Sequence, residues 1–183
     1  MSAKATLGQT AEIPGPKKAH IFPNPTVAAA MMKRAKRCLL VVGSKSPLMN
    51  TKDGNLVDSA IRMSKNGNIS VVATGHIVSE FLKRGSKDTN SIQVMNLGDR
   101  LRDPSWEGFD GGGPYDLVVF TGFPYYIEWL VQSGLKNFAQ DLRTMSLEKT
   151  YQPNASWSLG TLPEGGWEEA LDEILTVLEE EKS

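Results

Sequence analysis

Four short apolar runs, each closing on a glycine, constrain this chain more than any other feature. They are Cys38–Gly43, Ile69–Gly75, Ile92–Gly98 and Leu117–Gly122. Runs this short and this continuously apolar read as strands buried on both faces. Helical periodicity lies between several of them, which points to βαβ units and a parallel sheet. Residues 142–147 and 155–159 supply a fifth and a sixth strand. The prediction is an α/β fold of three layers: about six parallel strands with helices on both faces.

The segments between the runs carry helix signals. Asn24 as N-cap with Pro25 behind it starts a first helix. Val57, Ala60, Ile61 and Ser64 repeat at helical spacing, and Gly67 lies past the end. Ile77, Val78, Phe81 and Leu82 form a short helix that stops at Gly85. After Pro124, Ile127, Leu130 and Val131 are read as a buried stripe. The clearest helix is the last, with Trp167, Ala170, Leu171, Ile174, Leu175 and Leu178 on one face. Glu179, Glu180 and Glu181 sit at its unfavourable end, where fraying is expected. Residues 1–24, with Pro14, Gly15, Pro16 and Pro23, read as an extended arm. Residues 25–183 read as one α/β domain. The stretch from Asn96 to Tyr115 is a long loop, with Arg102 and Trp106 as candidate interface anchors.

Composition narrows the chemistry. The net charge is −1, which gives no bulk attraction for nucleic acid. The basic cluster Lys33, Arg34, Lys36 and Arg37 sits at a helix C-terminus and complements its dipole. One cysteine, Cys38, and two histidines, His20 and His76, exclude a disulfide framework and an iron–sulfur cluster held by this chain alone. No metal ligand set is assigned. No stretch approaches the ~20 apolar residues of a membrane span. With no hydrophobic leader either, the reading is a soluble, cytoplasmic protein.

Ligands of open α/β sheets sit at the carboxyl ends of the strands. The candidate cofactor-binding residues are therefore Gly43 and Ser44, then Thr74, Gly75 and His76, then Gly122, Phe123 and Pro124. Glycines there admit a ligand to the backbone, and the next helix N-termini favour phosphate, so a flavin or nucleotide pyrophosphate would fit. Small residues at such turns also serve the fold alone. Gly43 is followed by Ser44-Lys45-Ser46-Pro47-Leu48, so the G-x-G-x-x-G fingerprint is missing. Gly111-Gly112-Gly113-Pro114 precedes a strand and reads as a flexible turn. No nucleophile–base set or acid–base carboxylate pair stands out, and no catalytic residue is assigned.

Several stretches carry a family likeness: Ile13-Pro14-Gly15-Pro16-Lys17, Arg34-Ala35-Lys36-Arg37, Ala73-Thr74-Gly75, Asp103–Gly111, Tyr151-Gln152-Pro153-Asn154-Ala155 and Ser158–Leu162. In this order and spacing the chain resembles the epsilon subunit family of the archaeal acetyl-CoA decarbonylase/synthase complex. The resemblance implies a sheet like the FAD/NAD-binding domain of deoxyhypusine synthase and thiamine-dependent oxidases. It implies a non-catalytic subunit paired with a metal-bearing alpha subunit as alpha2epsilon2, the carbon monoxide dehydrogenase component. The role implied is either stabilising alpha or, with bound FAD, assisting electron transfer from CO oxidation. A homodimer of the isolated chain is left open.

Overall fold

The computed structural model describes Gly15 and residues 17–180. Residues 1–14 and 16 of the expected arm, and Glu181, lie outside the described residues. The strands are β1 (His20–Ile21), β2 (Cys38–Val42), β3 (Asn50–Thr51), β4 (Gly54–Asn55), β5 (Ile69–Thr74), β6 (Asn90–Ile92), β7 (Leu117–Thr121), β8 (Arg143–Ser146) and β9 (Trp157–Ser158). The helices are α1 (Pro25–Arg34), α2 (Leu56–Met63), α3 (Val78–Lys83), α4 (Val94–Leu101), α5 (Tyr125–Phe138) and α6 (Gly166–Glu179).

Seven strands form one parallel sheet in the order β1-β9-β8-β7-β2-β5-β6. β2 and β7 are buried along their whole lengths, as their continuous apolar sequences require. Chain order reverses between them: β5 lies on one side of β2 and β7 on the other, in matching register from Cys38 to Val42. β3 and β4 form a separate small hairpin in the polar loop after β2.

Two apolar layers flank the sheet. One gathers Leu40, Val42, Val71 and Val119 with α1, α2, α3 and α6. The other gathers Leu39, Val41, Val118 and Phe120 with Leu97 of α4 and Val131 and Leu135 of α5. The alternation of strand residues between the layers is the period-2 consequence of the pleat. α2 is set by a capping box: the Asn55 side chain accepts from the Asp58 amide, and Asp58 accepts from the Asn55 amide at 2.9 Å. α1 begins at Asn24 and Pro25 as read.

Three readings change. The run from Val94 onward is helix, not strand: its apolar residues Val94, Leu97 and Leu101 keep helical spacing, and only Ile92 remains on the sheet. The sheet has seven strands because the end of the expected arm adds β1 beside β9. Ala19 and Phe22 are buried there, and the Tyr151 hydroxyl donates to the Ala19 carbonyl at 2.8 Å. On α5, Ile127 and Leu130 face out at 40% and 51% exposure, while Glu128 and Gln132 are fully buried.

Candidate functional site

Because β5, β2 and β7 are parallel neighbours, their turns open on the same edge of the sheet. All eight sequence-derived candidates therefore lie along that edge. They divide into two groups.

The turns after β2 and β7 meet at the reversal point and pack on each other. The Gly43 amide donates to the Thr121 carbonyl and the Lys45 amide to the Gly122 carbonyl, both at 2.8 Å. A Cβ on Gly43 would stand 2.6 Å from Phe123 Cγ. Gly122 has φ +78, and a Cβ there would collide with the Ser46 hydroxyl. Phe123 is buried against Phe120, with ring centroids 5.9 Å apart. These glycines fit one another rather than an open crevice. Ser44 is exposed, and Pro124 leads into α5.

The turn after β5 is freer. Thr74 is buried and donates to the Val42 carbonyl at 3.1 Å. Gly75, at φ +63, and His76 are exposed in a short 3-10 turn before α3.

Sequence reasoning missed the polar cluster beneath the edge. The Phe123 amide donates to Glu148 Oε1 at 2.8 Å, and the Gly122 amide also faces this carboxylate. Glu148 thus sits where an anion would lie at the start of α5. Glu128 lies one helical turn inside α5. Gln132 donates to its Oε1 at 2.5 Å, and Ser146 also bonds it. Burial pushes Glu128 well above the usual carboxylate range, and the Glu148 charge adds to this. Burial raises Glu148 as well, but the two amides and the charges of Lys45 and Lys149 oppose it. The pair therefore keeps its proton on Glu128 and its charge on Glu148. Glu128 Oε2, Gln132 Oε1 and Gln152 Oε1 have no partner among the described residues. The available signal was periodicity: Glu128, Val131, Gln132 and Leu135 repeat at i, i+3, i+4 and i+7. Reading only apolar positions hides it.

Above Glu148 a cavity of about 300 Å³ opens between Lys45, Phe123, Tyr125 and Lys149. At the opposite, amino edge a groove of about 680 Å³ is lined by Leu101, Tyr115, Phe138 and Leu142, with Arg37 and Arg102 at its rim. Trp106 does not project as an anchor. It packs on Phe109 and Tyr115 at centroid distances of 5.2 and 5.8 Å. The glycine-rich turn is clasped by Arg37, which pairs with Asp110 and lies 4.9 Å from the Tyr115 ring centroid. With the Gly112 amide, Arg37 holds the Asp110 carboxyl down at about 2.

Among the described residues, no three His, Cys, Asp or Glu side chains converge as a metal site. No described helix is long and apolar enough to cross a membrane.

Comparison with known proteins adds what geometry leaves open. Residues 4–175 match the family described as CO dehydrogenase beta subunit/acetyl-CoA synthase epsilon subunit. The acetyl-CoA decarbonylase/synthase complex subunit epsilon 1 of Methanosarcina barkeri is 36% identical over 155 residues, covering 85% of this chain and 87% of that protein. The epsilon subunit of Methanothrix soehngenii is 36% identical over 93% of this chain and 89% of its own length. That of Methanothermobacter thermautotrophicus is 33% identical over 91% and 92%. With the family matched over residues 4–175 and relatives 33–36% identical over most of both chains, the chain belongs to the epsilon subunit family of the acetyl-CoA decarbonylase/synthase complex.

Proposed function

We propose that this chain is a non-catalytic subunit that pairs with the alpha subunit, the two together forming the carbon monoxide dehydrogenase component of the complex, and stabilises it. One observation carries the reading. At the reversal point, where an open α/β sheet builds its ligand crevice, the Phe123 ring packs on the Gly43 turn and the Gly122 and Phe123 amides are taken by Glu148. A chain whose anion-binding amides are already occupied is suited to holding a partner rather than turning over a substrate. Coexpression with the alpha subunit, followed by size exclusion and thermal melting, tests it. The expected result is co-migration and a higher melting temperature for alpha. Separate elution of the two chains would refute the proposal.

A flavin-binding, electron-transferring module is the second reading. It is favoured by the exposed Gly75–His76 turn and by the cavity beside Lys45 and Lys149 at the same edge. Titration of FAD into the chain, alone and with alpha, decides between them. A shifted flavin absorbance that saturates supports the second reading, and a featureless titration removes it.

A further inference from the structure

We infer that the outer face of α5, together with the groove beyond Phe138, is the surface that receives the larger subunit, and that it takes an uncharged, apolar segment of it. The inference deepens the pairing proposed above and rests on it.

The outward positions of α5 are Tyr126, Ile127, Leu130, Ser133, Gly134, Asn137 and Phe138, and none is charged. Tyr126 and Phe138 are each 68% exposed, and Leu130 is 51% exposed. The helix does contain charges, but they are turned elsewhere. Glu128 is buried, and Lys136 reaches the Lys17 carbonyl and Asn154. Scattered apolar residues on a surface need no explanation, but an uncharged strip along a fourteen-residue helix, apolar at both ends and small or polar between, does.

Gly134 gives an independent pointer. A glycine within a helix is unfavourable and is kept where another backbone or group comes close. Among the described residues, no atom beyond the helix's own backbone lies within 4 Å of where its Cβ would stand. The position is left open to a partner's close approach. At the far end of the strip Phe138 forms one wall of the groove of about 680 Å³, whose other apolar walls are Leu101, Tyr115 and Leu142. Strip and groove make one surface, convex at Tyr126 and concave past Phe138.

The size suits a stable contact. The exposed parts of Tyr126, Ile127, Leu130 and Phe138 come to about 400 Å². A standard interface uses ~800 Å² per partner, so a partner seated here covers the groove walls and a polar margin as well. The groove carries charges of both signs, Lys36, Arg37, Arg102, Asp103, Asp116 and Asp141, while the outward strip of α5 carries none. A partner that buries this strip must itself be uncharged there, since an unpaired charge would be desolvated without compensation. The relatives are named as subunits of a complex, so the surface is assigned to a different chain, and a second copy is the alternative that the test separates.

The test is coexpression of the full chain with its tagged alpha subunit, followed by affinity capture and size exclusion. Leu130→Lys and Phe138→Lys, both at exposed positions, are expected to lower the captured chain at least tenfold. Gly134→Leu should do the same while leaving the isolated chain folded by circular dichroism. Glu173→Lys, on the exposed face of α6, should be captured like the wild type. Capture of all three α5 variants at wild-type level would overturn the surface while leaving the pairing intact. Failure to capture even the wild type would refute the pairing and the surface with it. If the isolated wild type is a dimer that Leu130→Lys splits, and capture by alpha is undiminished, the occupant is a second copy and the inference is wrong.

Discussion

α5 and α6 have the same length, fourteen residues, and lie on opposite faces of the sheet, yet their polarity is reversed. α6 buries Trp167, Ala170, Leu171, Ile174, Leu175 and Leu178 and turns Glu169 and Glu173 to water. The Trp167 indole N–H donates to the Leu147 carbonyl at 2.8 Å, so even its one buried polar atom is satisfied. α5 buries Glu128 and Gln132 beside Val131 and Leu135 and shows Tyr126, Leu130 and Phe138 to solvent. α6 is a helix finished by folding. α5 is finished only when something else covers it, and its inner face is held by a polar cluster with spare acceptors. The difference teaches that both layers stabilise the domain, while α5 also presents an apolar surface.

The contrast can be broken most severely on the α6 side. Trp167→Ala, removing a side chain only 1% exposed, should destabilise the isolated chain by about 3–5 kcal/mol in urea unfolding. A loss below ~1 kcal/mol would mean that α6 is not the packed helix described.

Next comes the inner face of α5. Folding raises Glu128 above its ordinary 4.5, so its stabilising contribution is complete below that value and is lost as pH rises through the folded value. Glu128→Gln removes that dependence. It should be more stable than wild type at pH 8, with the gap closing towards pH 4.5. Equal pH slopes in the two proteins would disprove the shared-proton arrangement.

The outer face should respond weakly in the isolated chain. Gly134→Ala is expected to stabilise by about 0.5–1 kcal/mol, because the site is open and helical. Destabilisation in thermal melts would show that something already packs there. Leu130→Ser, smallest of all, should change stability by less than ~0.5 kcal/mol. A larger loss would mean that this side chain contributes to the core.

Much of the sheet was legible because its signal is local. Leu39–Val42, Val71–Ala73 and Leu117–Phe120 are continuous apolar runs, and a central parallel strand needs little else. α6 was legible for the same reason, with six apolar positions in strict period. Val94–Leu97 misled because a short, largely apolar stretch fits strand and helix alike, and Leu101 four residues further on decides it. β1 was hidden because two residues between prolines carry no periodicity; only their pairing with Trp157 and Ser158 makes them a strand. At the carboxyl edge the positions were legible and their use was not. Gly43 and Gly122 looked like openings for a ligand, and their role as each other's packing partners depends on two turns far apart in the chain. Glu148 reaches an amide 25 residues away, a relation no local pattern contains. On α5 Val131 was placed inward correctly, but Ile127 and Leu130 were put on the wrong face, because hydrophobicity was taken to mean inward.

β1 has a bearing on how the protein is made. It is the earliest described strand in the chain, yet its neighbour in the sheet is the latest, β9, and the Tyr151 hydroxyl that fastens it lies 132 residues downstream. On a ribosome the front of the chain must wait, unpaired, until the back has been synthesised. The sheet is therefore zipped shut from the far end. A nascent chain that stalls before Trp157 would carry an unattached leading segment, open to proteases and to other chains.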